Sequence, residues 1–149
     1  VIRNAEYRDI PAILDIGQWY LDHIHPGTTI DREAGPKDLR YLISSATGWV
    51  GVAEKGGEIV GALAGQVVRQ SFVKQRYATD VGFVVLPGHP IQAVGLARHF
   101  IHWSRQQKGV RDVTLQISSG LANVDRVGKL YEKLGLRHMG GCYTMFLEG

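Results

Sequence analysis

Cysteine is nearly absent from the chain: Cys142 is the single one in 149 residues, so no internal disulfide can form and a reducing, cytoplasmic setting is expected. Long apolar runs are missing as well. Nothing approaches the roughly 20 residues of a membrane-spanning helix, and the first residues lack the apolar stretch of a secretory signal, so no membrane partner is expected. Charge of one sign is not in excess, with 17 Lys and Arg against 14 Asp and Glu and a pI near 9.1. The cations are scattered; this mild basicity suits an anionic ligand and is too weak to imply nucleic acid. Metal-ligand spacing is also lacking. The nearest histidine pairs, His23-x-His25 and His99-x-x-His102, are not the i, i+4 pair of a metalloprotease helix, and no cysteine or carboxylate cluster completes a shell, so no metal is expected. Repeats and low-complexity tracts are absent. What remains, 44% hydrophobic residues and 19 glycines, is the composition of one loop-rich domain over residues 1–149.

Residues 1–4 read as a short strand. Asp9 then precedes Ile10-Pro11, an acidic N-cap with proline in the first turn, and apolar residues from Ile10 to Ile24 recur at helical spacing up to His25-Pro26-Gly27. Pro36 opens a second helix with Leu39, Leu42 and Ile43 on its apolar side. Residues 48–54 and 58–70 are strands joined by the hairpin signal Lys55-Gly56-Gly57, and 77–86 is a further strand ended by Pro87-Gly88-His89-Pro90. An amphipathic helix follows over residues 91–107, then a strand over 113–117 and a helix over 124–134, with Asn123 as its cap and Gly135 as its stop. Residues 136–139 and 142–147 close the chain as strands around Gly140-Gly141, which makes Cys142 a packed thiol in the last strand. Trp19, Tyr20, Trp49 and Trp103 occupy apolar positions, which favours core packing over stacking on bases. Strand, two helices, three strands, helix, strand, helix and two strands make an α/β or α+β fold with a mixed sheet.

The ending carries a resemblance. Asn123, Val127, Leu130-Tyr131-Glu132-Lys133-Leu134-Gly135 and the glycine-bearing segment from Gly140 to Leu147 resemble the last motif of the GNAT (Gcn5-related N-acetyltransferase) superfamily. Ile2-Arg3-Asn4-Ala5 with Asp9-Ile10-Pro11 resembles the family's opening. The central segments 58–65, 80–87 and 115–120 also look like GNAT proteins of tailed bacteriophages and prophages. The resemblance implies a mixed, mostly antiparallel central sheet of about six to seven strands flanked by about four helices. It also implies acetyl transfer from acetyl coenzyme A to a primary amine acceptor.

That chemistry needs a neutral nucleophile, donors for a developing oxyanion and an acid for the departing thiolate. By resemblance, Tyr131 is the acid, backbone N–H groups near Val84 and Val85 face the thioester, and Asn123 contacts the coenzyme. The helix start spanning Gln92, Ala93, Val94 and Gly95 would take the pyrophosphate, because free N–H groups and the positive dipole end meet there. Asp80 is a base if burial raises its pKa, and an edge or capping residue otherwise. A tyrosine packed on its helix and an asparagine acting only as N-cap explain Tyr131 and Asn123 without a ligand. The family loop departs here, since Pro90 stands where an amide or basic residue is expected and Ala93 where the first glycine is, leaving His89 or Gln92 as replacement donors. The alternative is a protein of this fold without catalysis, acting as a homo-oligomer or as a structural partner in a phage virion.

Overall fold

The protein's structure is a computed structural model and describes residues 1–117 and 124–147. Contacts divide the chain into two compact units, Val1–Leu115 and Gln116–Gly149.

The first unit holds β1 (Ile2–Asn4), a 3-10 turn (Tyr7–Asp9), α1 (Ile10–Ile24), α2 (Ala34–Ser44), β2 (Gly48–Lys55), β3 (Glu58–Arg69), β4 (Arg76–Val85), α3 (Pro90–Arg105) and β5 (Val110–Thr114). The strands pair in the order β1-β2-β3-β4-β5, antiparallel except for the parallel β4–β5 pair. Gly56 and Gly57, both at positive φ, make the tight β2–β3 turn that the sequence signals.

Strands β2 and β3 are apolar on both sides because helices cover both faces. Leu14 of α1 and Leu39 and Leu42 of α2 pack with Val50, Val52, Ala62 and Ala64 on one face. Leu96 and Phe100 of α3 pack with Trp49, Ala53, Leu63 and Ala78 on the other. Trp49 is buried, with its ring centroid 5.8 Å from Phe100, and Trp103 lies 5.9 Å beyond, so these aromatics build core as expected.

Asp9 precedes α1 without capping it. Its carboxylate accepts two bonds from the Arg3 guanidinium (2.7 and 2.9 Å) and one from the Glu6 N–H (2.8 Å), tying β1 to the turn before α1. The Arg3 hydrogen bonds, with help from the Glu6 N–H, hold the Asp9 carboxyl below the usual carboxylate range, although burial opposes the shift. α2 starts two residues before Pro36, since the Asp31 carboxylate takes the N–H groups of Glu33 and Ala34 (2.8 and 2.9 Å) and fixes the first turn there. α3 likewise begins at Pro90, ahead of the expected start. β5 lies earlier than residues 113–117, where its valines pair with β4.

The second unit contains α4 (Val124–Lys133). Its stop is a Schellman closure: the Leu136 N–H donates to Tyr131 C=O, the Gly135 N–H donates to Glu132 C=O, and Gly135 has φ +96°. Asn123, the expected cap and coenzyme contact, lies outside the described residues. Residues 136–139 and 142–147 do not form the two expected strands, so the described sheet has five strands where about six to seven were expected. A strand requires a partner for its N–H and C=O groups, and no ladder includes these residues. Met139, Tyr143 and Met145 are exposed, and Cys142 is an exposed thiol instead of a packed one.

Candidate active site

The apolar pattern of β4 changes phase partway along. Ala78 faces the α3 side of the sheet, and so do Phe83 and Val85, an even position and two odd ones. Strict alternation cannot place all three on one face, so one extra residue must intervene. The ladder shows where it does: Gly65 opposes Asp80 and Ala64 opposes Gly82, leaving Val81 as a bulge. Gly65 serves the same place from across the ladder. A Cβ on it would come 2.2 Å from Phe100 Cε1, so only glycine lets α3 close onto the sheet beside the bulge.

Beyond the bulge β4 loses a neighbour. Its parallel pairing with β5 ends at Thr79 opposite Thr114, whereas its pairing with β3 continues to Val85 opposite Gly61. The Leu86 N–H donates to Val60 C=O (2.9 Å), which fixes the parity of the antiparallel ladder. Val84 and Gly82 therefore direct their N–H groups toward β3, while Val85 and Phe83 direct theirs to the flank that β5 has left. Of the two expected oxyanion donors, Val85 has the outward N–H. In the sequence, the switch of apolar phase from Ala78 to Phe83 and Val85 is the signal for the bulge. Asp80, half-buried opposite Gly65, stands at the start of this flank.

The chain then turns through Pro87 and Gly88 (φ +87°) into α3. His89 precedes the helix without a side-chain capping bond, Pro90 has no N–H to give, and the Ala93 N–H donates to His89 C=O (3.2 Å). Ile91 and Gln92 therefore carry the first-turn N–H groups that have no acceptor within the helix. His89 Nδ1 is shielded from solvent and has no hydrogen-bond partner among the described residues. Gly95 has a packing reason, since a Cβ there would lie 2.8 Å from Ile2 Cγ1. Gln92, Val94 and Gly95 line a cleft of about 400 Å³ with Ile2 and Arg98, while Ala93 does not border it.

In the second unit, Tyr131 is buried and its hydroxyl donates to the Gln116 carbonyl (3.2 Å). In the first unit Asp80, Val84 and Val85 lie on the outer half of β4, while Gln92, Val94 and Gly95 border the cleft beside Ile2 of β1; Tyr131 is described within its own unit. Among the described residues no group of three or more His, Cys, Asp or Glu side chains is placed to hold a metal.

No family model matches the chain, and no curated protein matches it. Solved structures do resemble it. Glucosamine-6-phosphate N-acetyltransferase from Arabidopsis thaliana is similar with a TM-score of 0.72 at 14% identity, over 99% of this chain and 98% of that one. An aminoglycoside acetyltransferase from an uncultured soil metagenomic sample, in complex with sisomicin, has a TM-score of 0.68 at 16% identity, over 99% and 96%. An acetyltransferase from Trypanosoma brucei has a TM-score of 0.67 at 20% identity, over 99% of each chain. At these identities the likeness establishes the fold: a mixed, mostly antiparallel sheet with helices on both faces, of the GNAT kind.

Proposed function

We propose that the protein transfers an acetyl group from acetyl coenzyme A to a primary amine. The observation that carries this reading is the outer half of β4, where a bulge and the end of the β5 pairing leave the Val85 N–H directed off the sheet, five residues before α3 begins at Pro90. A backbone N–H fixed in that way suits the thioester oxygen, on which negative charge grows as the amine nitrogen bonds to the acetyl carbon. The C–S bond then breaks and sulfur takes a proton.

His89 Nδ1 and the first-turn N–H groups of Ile91 and Gln92 are the donors available to the pyrophosphate. Asp80 is the candidate to accept the amine's proton. Tyr131 is the candidate to protonate sulfur, by turning its hydroxyl from the Gln116 carbonyl. The acceptor is a primary amine, and amino sugars head the panel to be tried because two of the similar structures carry such acceptors in their names.

Titration calorimetry with acetyl coenzyme A, followed by release of free thiol with an amine panel, tests the reading. Saturable binding with amine-dependent thiol release is expected. Tyr131→Phe should lower turnover by about 100-fold while coenzyme affinity stays within about threefold. No heat and no thermal shift at millimolar coenzyme would remove the proposal.

Pro90 and Gly95 favour a second reading, a protein of this fold without catalysis that serves a structural or interaction role, as in a phage particle. Proline deletes a donor at the helix start, and Ile2 accounts for the glycine without a ligand. It predicts a stable assembly and no coenzyme binding.

A further inference from the structure

The turn joining β3 to β4 is closed by its own hydrogen bonds. The Gln70 N–H donates to Gln75 C=O (2.8 Å), the Val73 N–H to Gln70 C=O (3.3 Å), and the Arg69 guanidinium to Val73 C=O (2.8 Å). At its tip Phe72 has φ +70°, the sole positive φ outside glycine among the described residues. Its side chain is fully exposed (101%), and Val73 beside it is exposed as well (41%). A bulky residue is disfavoured in this conformation, where glycine or asparagine would serve, and an apolar ring in water contributes nothing to the core. The fold gives Phe72 no reason to be phenylalanine.

Cations flank the turn in sequence and at its base. Arg69, Lys74 and Arg76 belong to the hairpin, and Arg76 Nη1 donates to Lys108 C=O (2.8 Å), which brings the turn before β5 alongside. From Ile59 to Thr79 the sequence has no acidic residue. Among the described residues none of these four cations has a carboxylate within ion-pair distance.

We propose that this hairpin docks the protein on an anionic phospholipid surface, with Phe72 and Val73 entering the boundary between headgroups and acyl chains and the cations meeting the headgroups. Area favours a bilayer over a protein partner. A tip of two apolar side chains offers on the order of 300 Å², well below the roughly 800 Å² per side of a stable protein interface, while a bilayer requires no complementary shape. The charge fits as well, because each cation held near an anionic leaflet adds attraction that salt screens. This inference revises the expectation of no membrane partner and is independent of the acetyl-transfer reading.

Flotation of the full chain with phosphatidylcholine–phosphatidylserine vesicles of about 2:1 composition, against phosphatidylcholine alone, tests it. Binding to the mixed vesicles is expected, weakening as salt rises from about 0.05 to 0.5 M. Phe72→Ser should weaken binding about tenfold and Lys74→Gln about fivefold. The melting temperature of Phe72→Ser should not fall, so lost binding cannot be put down to unfolding. Phe72→Trp should shift its emission to the blue on mixed vesicles and keep it unshifted on neutral ones. Absence of binding at low salt, or binding that Phe72→Ser leaves unchanged, overturns the proposal. Self-association without lipid that Phe72→Ser abolishes, with no vesicle binding, also overturns it and assigns the tip to a protein contact.

Discussion

Strand β4 has two halves in different surroundings. Residues 76–79 are paired on both sides, with β3 and with β5, and Ala78 among them is fully buried. Residues 80–85 keep β3 alone among the paired strands, Val81 stands 55% exposed at the bulge, and every second N–H is turned outward. The inner half uses its backbone on both sides to hold the sheet together; in the outer half, among the described strands, alternate backbone groups face away from β3. A site of this kind is made where a sheet stops pairing, so few of its groups depend on side-chain identity.

Substitutions that act on one half and spare the other sharpen the contrast. The largest effect is expected from Phe100→Ala, which empties the space that Gly65 leaves beside the bulge: about 3–5 kcal/mol lost in denaturant unfolding, with the bulge itself loosened. Next comes a pair within the outer half. Val84→Pro removes an N–H that the ladder uses and should cost about 3 kcal/mol, whereas Val85→Pro removes the outward N–H, should cost far less, and should abolish thiol release. Equal stability losses from the two prolines would break the parity assignment.

A smaller effect, at a place remote from β4, serves as the control. Asp9→Asn weakens the tie from Arg3 and should cost about 2 kcal/mol at neutral pH without altering coenzyme affinity. Because the folded pKa of Asp9 lies below its unfolded value, this contribution is fully present above about pH 4 and is lost as pH falls through the depressed folded value. The asparagine variant should therefore show a flatter acid limb than the parent in pH-dependent unfolding. An unchanged limb would mean that the pair contributes little.

Much of the fold was legible because it is written in periodicity. The α1 face from Ile10 to Ile24, the Gly56-Gly57 turn and the α4 stop at Gly135 each follow from local chemistry that no distant contact overrides. The expected strands at 136–139 and 142–147 show the limit. Their composition is strand-like, yet a ladder depends on a partner that local sequence does not specify. In the candidate site, Asp80, Val84 and Val85 could be placed on one strand end from sequence. The choice between Val84 and Val85 could not, because it depends on the bulge at Val81, which shows only as the switch of apolar phase after Ala78. Gly95 belongs to the helix start expected to take the pyrophosphate, yet its missing side chain is also what lets Ile2 approach, and sequence cannot separate a ligand from a packing reason there.

Amide hydrogen exchange along β4, with and without saturating acetyl coenzyme A, tests the central claim most directly. The Val84 and Gly82 amides should be protected in both conditions by the β3 ladder, and those of Phe83 and Val85 should gain protection only when the coenzyme is present. Protection at Phe83 and Val85 that does not change with coenzyme would contradict the assignment of the outer half of β4 as the place where the thioester is received.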